Sequence, residues 1–180
     1  YLLYRGTPER KVFLDGRNVD YGYDFLVRAL DARYHPVPFR ALETEYGFTS
    51  AIIEYASTKE EGQPFEFAYL NEDPSWALVF LDDWTAVYLK RIPEHAALID
   101  NFRYHLLTSE GVDRWTILDQ VSPTQVSSLE AELQRMIRMD PRGISALLAL
   151  AKLQRGMGRF AQALALLKEA QERFPFRHEA

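Results

Sequence analysis

Residues 12–17 read Val-Phe-Leu-Asp-Gly-Arg, an apolar run that ends abruptly on a carboxylate and a guanidinium. α/β enzymes bind their ligands, and so often place their reacting groups, outside the carboxyl ends of buried strands. Such chemistry needs a second group at a fixed spacing. An aspartate nucleophile of the D-x-D type needs a carboxylate two residues after Asp15, and Arg17 stands there instead. A metal-dependent nuclease core needs a Glu-x-Lys on the next strand, but Glu54 is followed by Tyr55 and Ala56, and Lys59 lies too far along. The residues are better suited to a clasp. Asp15 can accept backbone N–H bonds from the loop that follows it. Arg17 can pair with Asp20, or with Asp82 or Asp83 if the strands are neighbours, through the bidentate geometry of arginine and carboxylate. Contact with a ligand or a partner is the other reading of this group.

Asp82 and Asp83 form a second acidic pair. They lie between two apolar runs, where an aspartate side chain bonds nearby backbone N–H groups and stabilises a turn. We therefore read them as turn residues, with the turn Asp82–Trp84 kept as a ligand-facing alternative together with the loop Asp15–Tyr23. His35, His95, His105 and His178 show no i,i+3 or i,i+4 pairing, so no histidine metal site is assigned. The chain contains no phosphate-binding glycine loop, no dinucleotide fingerprint and no nucleophile elbow. No catalytic residue, metal or cofactor is assigned.

Composition narrows the classes further. The 180 residues suffice for one ordinary domain, or for a small domain with an appendage. A hydrophobic fraction of 47% and an aromatic fraction of 13% supply a core, which argues against disorder. The net charge of −5, with basic residues scattered among acidic ones, argues against nucleic acid as a partner. No stretch approaches the roughly 20 apolar residues that span a bilayer. The absence of cysteine rules out disulfides and thiolate chemistry. The chain opens on YLLYRG without an initiator Met, so we expect a fragment of a longer protein.

The elements that carry these residues follow from periodicity. Lys11–Leu14 is expected to be a buried strand, and Asp20 to cap a helix whose apolar face includes Phe25, Leu26, Ala29 and Leu30 and which stops before Pro36. A second helix, Phe39 to Tyr46, ends at Gly47. Phe48–Tyr55 is β-branched and aromatic, hence a strand, and Lys59–Gln63 is a polar loop. Pro64–Leu70 is expected to be a short helix, and residues 76–90 a hairpin whose strands are covered on both faces. The order is βαα-β-α-ββ, a small mixed α/β sheet. Its helix-linked strands should be parallel and its final hairpin antiparallel. Pro93–Leu107 is expected to be one helix with Ala97, Leu98, Phe102 and Leu106 as its stripe. Gly111–Val121 is read as a connector, so a boundary falls near residue 110 and gives units 1–110 and 111–180. Ser122-Pro123 with Gln125 forms a capping box before a helix that faces inward with Leu129, Leu133, Met136 and Ile137, and Pro141-Arg142-Gly143 breaks it.

The last segment, ISALLALAKLQRGMGRFAQALALLKEAQERFP at residues 144–175, resembles a tetratricopeptide repeat. Leu147, Leu150 and Ala151 match its first helix, Gly158 its turn and Phe160 its aromatic position. Ala163, Leu167 and Ala170 match the inward face of its second helix, and Pro175 its close. Residues 122–141 then make a degenerate half repeat, with Leu129 where the pattern has Ala. The resemblance implies a concave binding surface on the first helix, with Ser145, Leu148, Lys152 and Arg155 facing a protein or peptide partner. It also implies that the all-α tail packs on the α/β unit, on a second copy in a homo-oligomer, or on further repeats.

The first unit resembles a second family. KVFLDGRNVDYG, FRALETEYGFTSAIIEY and WALVFLDDWTAVYLKR follow, in order, the soluble C-terminal region of polytopic bacterial membrane proteins related to glycosyltransferases that use lipid-linked sugars. Phe39 departs from that pattern, which has Trp there. The resemblance implies an extracytoplasmic location and contact with a membrane only through a preceding N-terminal part. It carries no catalytic residue onto this chain. Two functions follow as expectations: a non-catalytic scaffold that acts through the repeat, or an accessory domain that binds a sugar or a polyprenyl-linked ligand for a transferase.

Overall fold

The computed structural model describes residues 22–54, 65–110 and 121–173. The expected first strand, Lys11–Leu14, lies outside them, as do Asp15, Arg17, Asp20 and the connector 111–120.

Two helices come first, α1 (Tyr23–Asp31) and α2 (Pro36–Tyr46). The N-cap of α1 is Gly22, with φ 77, and not the expected Asp20. α2 starts earlier than expected because Pro36 and Pro38 fit its first turn, where an N–H lacks a helical partner in any case. It ends at Gly47, whose φ of 64 is left-handed. Phe39 and Leu42 are buried, whereas Tyr46 is exposed.

The sheet has three strands, β1 (Ser50–Glu54), β2 (Trp76–Leu81) and β3 (Thr85–Lys90), in the order β1-β3-β2. Both ladders are antiparallel, which corrects the parallel pairing expected for β1. The turn at Asp82–Trp84 commits β3 to lie beside β2, and β3 also takes the place next to β1. β1 and β2 thus run in the same direction without touching. A register shift between Leu78 and Phe80 inserts one extra residue into β2. Leu81 is thereby returned to the face that carries Trp76 and Leu78.

Two further expected helices are shorter than their sequence patterns. In place of a helix over Pro64–Leu70 there is a 3₁₀ turn at Ala68–Asn71. Phe67 has φ 57, which interrupts a right-handed helix. In place of one helix over Pro93–Leu107 there is a 3₁₀ turn at Pro93–His95 and α3 (Ala96–Phe102). The stripe is displaced: Ala97, Leu98 and Phe102 are exposed, Leu106 lies beyond the helix, and Ile99 is its buried residue. The chain leaves the helix because Tyr104 N–H donates to Leu78 O at 2.9 Å, along the edge of β2.

The C-terminal part has α4 (Val126–Met139), α5 (Ser145–Gly156) and α6 (Phe160–Arg173). α4 starts later than the capping box expected at Ser122: its N-cap is Gln125, and residues 122–125 form a turn in which the Gln125 side chain accepts the Ser122 N–H at 3.2 Å and the Gln125 N–H donates to Ser122 O at 2.9 Å. Leu129, Leu133 and Met136 are buried, with Ile137 packed beside them. One apolar cluster runs from Phe39 and Leu42, through Leu78, Leu81 and Tyr88, to Leu129, Leu133, Leu150 and Leu153. The core therefore continues across residue 110. A smaller cluster on the other sheet face joins Ala77 and Leu89 to Ile99 of α3. No helix among the described residues is long and apolar enough to cross a membrane.

Candidate functional site

The site is built on α5 and α6. The start of α5 is fixed from a distance of 61 residues in sequence. The Asp83 carboxylate accepts the N–H of Ile144 at 2.8 Å and of Ser145 at 3.2 Å. Orphan N–H groups and the positive end of a helix dipole favour a carboxylate there. Asp82, its neighbour, serves the turn itself and accepts from Trp84 N–H at 2.7 Å and Thr85 N–H at 2.6 Å. The turn reading of Asp82 therefore agrees with the geometry. Asp83, read as its turn partner, instead links the hairpin to α5.

A second carboxylate links the same parts of the fold. Glu132 of α4 is buried and accepts the N–H groups of His105 at 2.7 Å, Leu106 at 3.1 Å and Leu107 at 2.9 Å. The Arg135 guanidinium, one turn further along α4, sits 3.7 Å from the centre of the Tyr104 ring. Burial pushes the Tyr104 hydroxyl above its ordinary pKa, and Arg135 opposes that shift.

α5 is buried on most sides, through Ala146, Leu147, Ala149, Leu150, Ala151 and Leu153. α6 follows the turn at Gly158, whose φ is 73, and buries only Ala163 and Ala170. The small side chains let the two backbones approach closely, but they leave the rest of α6 uncovered. Leu167 is 46% exposed and so does not pack inward as expected, and Phe160 is exposed too. Between the helices lies an open groove of about 430 Å³, lined by Leu148, Ala151, Lys152, Arg155, Ala163 and Leu167. Three of the four residues expected on the binding surface thus line one groove. Ser145 is not among them, and its backbone N–H is bound to Asp83.

Compared with protein families, with curated proteins and with solved structures, the chain matches none.

The groove is apolar along its floor and cationic at Lys152 and Arg155, with no carboxylate in its lining. Such a surface holds an apolar segment and favours negative charge beside it. Among the described residues no cluster of three or more metal-ligating side chains occurs. Among the described residues, the buried Tyr88 and Ser109 form a polar group with the half-buried Asn71. Tyr88 Oη lies 2.6 Å from Asn71 Oδ1 and 2.9 Å from Ser109 Oγ, and burial raises its pKa to about 12. A phenol held neutral in this way positions the Asn71 and Ser109 side chains. Periodicity alone does not mark Glu132 as a link. A glutamate in the apolar row of Leu129, Leu133 and Met136 was the signal that could have found it.

Proposed function

We propose that this chain is a non-catalytic interaction module that holds a protein or peptide segment in the groove between α5 and α6. The observation that carries the reading is the groove itself: an apolar floor bordered by Lys152 and Arg155, on a helix pair whose outer leucine stays half exposed. The resemblance of residues 144–175 to a tetratricopeptide repeat supports it, because such repeats bind through the first helix of the pair. The resemblance of the first unit supports a wider setting, in which the module is the extracytoplasmic tail of a larger membrane protein related to glycosyltransferases. An accessory site for a lipid-linked sugar at Asp82 and Asp83 is the weaker reading, since both carboxylates are engaged by backbone N–H groups.

Peptide display on the immobilised chain, followed by fluorescence anisotropy of the selected peptides, tests the proposal. Leu148→Glu and Leu167→Glu are expected to weaken the selected peptides at least about tenfold, the scale of a hot-spot contact. The melting temperature should stay near that of the parent. Peptides that bind both variants as tightly as the parent would sink the reading.

A further inference from the structure

We propose that the occupant of the groove is α1 of a second copy of this chain, so that copies join head to tail. This inference rests on the groove being a binding surface and names its partner. α1 presents an exposed apolar face, of which only the Tyr34 hydroxyl has a hydrogen-bond partner among the described residues, Glu66 Oε1 at 3.2 Å. At 3.6 residues per turn, Tyr23, Val27 and Leu30 form one stripe, and Tyr34 in the turn that follows continues the spacing. All four are exposed, Tyr23 by 80%. The helix is held to its own core by another face, through Ala29 and the following Ala32. That anchorage leaves the stripe on the exposed side of the helix.

The two faces match in chemistry. The row beside the α1 stripe carries Asp24, Arg28 and Asp31. Arg28 is paired with Glu45 of α2, so the row is acidic on balance. Among the described residues, the exposed His35 imidazole is the ion-pair partner of Asp31, at 3.5 Å. The groove offers the complement, with Leu148, Ala151, Ala163 and Leu167 for the apolar stripe and Arg155 at its border for the acidic row. Ala151 and Ala163 leave room for a helix to approach closely. The interacting faces are different, so the contact is heterologous. Each added copy presents a new unused face, and the assembly grows until a ring closes or continues as an open chain.

Light scattering and sedimentation of the full 180-residue chain over a range of concentrations test this. The mass is expected to rise beyond that of a dimer as concentration increases. Val27→Glu and Leu167→Glu should each abolish association while the circular dichroism spectrum stays unchanged. An equimolar mixture of the two should form a one-to-one dimer and nothing larger, because one intact α1 still meets one intact groove. Asp31→Lys and Arg155→Glu, which perturb packing less, should each weaken association, and their mixture should recover it. A parent chain that remains monomeric overturns the inference. So does a Leu167→Glu variant that associates as the parent does, which would mark pairing of α1 with α1. Continued binding of display-selected peptides by a monomeric chain would leave the groove reading standing, whereas loss of both would overturn the two together.

Discussion

The two ends of the core are packed by different means. Around Phe39 the packing is aromatic: Phe48, Phe67, Tyr69 and Trp76 lie edge-on to its ring with centroids 5.3 to 6.0 Å away. Such pairs have preferred orientations, and each adds about 0.5–1.5 kcal/mol beyond its buried area. Their polar tips also need partners, as when Tyr69 Oη donates to Ala32 O. In α4 to α6 the packing is leucine and alanine, with Leu129, Leu133, Leu147 and Leu150 buried beside Ala146, Ala149, Ala151, Ala163 and Ala170. Alanine lets helices come close but covers little. The rings around Phe39 close on one another, whereas the alanine end leaves Leu164 and Leu167 uncovered. The open surface is thus a consequence of how the last helix pair is packed, and the groove lies there.

The largest test of this contrast is Phe39→Ala. Four rings that meet one ring cannot all move inward, so the loss should approach the upper range for a buried aromatic, about 3–5 kcal/mol by urea denaturation. A loss below about 1 kcal/mol would show that the rings repack freely and would break the contrast. The next test uses the polar tips. Burial raises the Tyr88 pKa from its ordinary value of 10 to about 12, so the unfolded chain gives up that proton first. The stabilisation is complete below about pH 10 and is lost as pH rises toward 12, by about 2–3 kcal/mol in total. Tyr88→Phe removes this contribution. Its stability should therefore fall less than that of the parent between pH 10 and 12, and parallel profiles would contradict the assignment.

The link between the two ends comes next in size. Glu132→Ala leaves the N–H groups of His105, Leu106 and Leu107 without their acceptor. Stranding such groups costs about 1–3 kcal/mol. Amide exchange at residues 105–107 should quicken in the variant more than exchange around Phe39 does. Equal changes at both places would mean that the aromatic end depends on this link as much as the helical end does.

What the sequence made legible was local. The hairpin could be read because two apolar runs flank Asp82 and Asp83, and the inner face of α4 because Leu129, Leu133 and Met136 recur at helical spacing. The strand order could not, because which strand lies beside β1 is decided by pairing over more than 30 residues. α3 is shorter than its sequence pattern for a similar reason. Ala97, Leu98 and Phe102 have helical spacing, but the backbone beyond Arg103 is drawn off to Leu78 and Glu132. At the candidate site, the spacing of the repeat-like segment placed Leu148, Lys152 and Arg155 on one surface. It could not show that Ser145 meets a carboxylate 62 residues earlier in the chain.

That last contact gives the smallest and sharpest test. Asp82 and Asp83 are adjacent, and each accepts two backbone N–H groups. Replacing either with alanine should cost about 1 kcal/mol, the usual size of a lost cap. The two losses differ in where they are felt. Asp82→Ala frees N–H groups within its own turn, so faster amide exchange should be confined to Trp84 and Thr85. Asp83→Ala frees the start of α5, so exchange should quicken at Ile144 and Ser145 and spread along the first turn to Leu148, where the groove begins. Affinity for a groove-bound segment should then weaken in Asp83→Ala and hold in Asp82→Ala. If both variants bind alike and exchange in α5 is unchanged, the hairpin does not position the groove, and of the two carboxylate links only Glu132 adds to the shared apolar core in joining the ends.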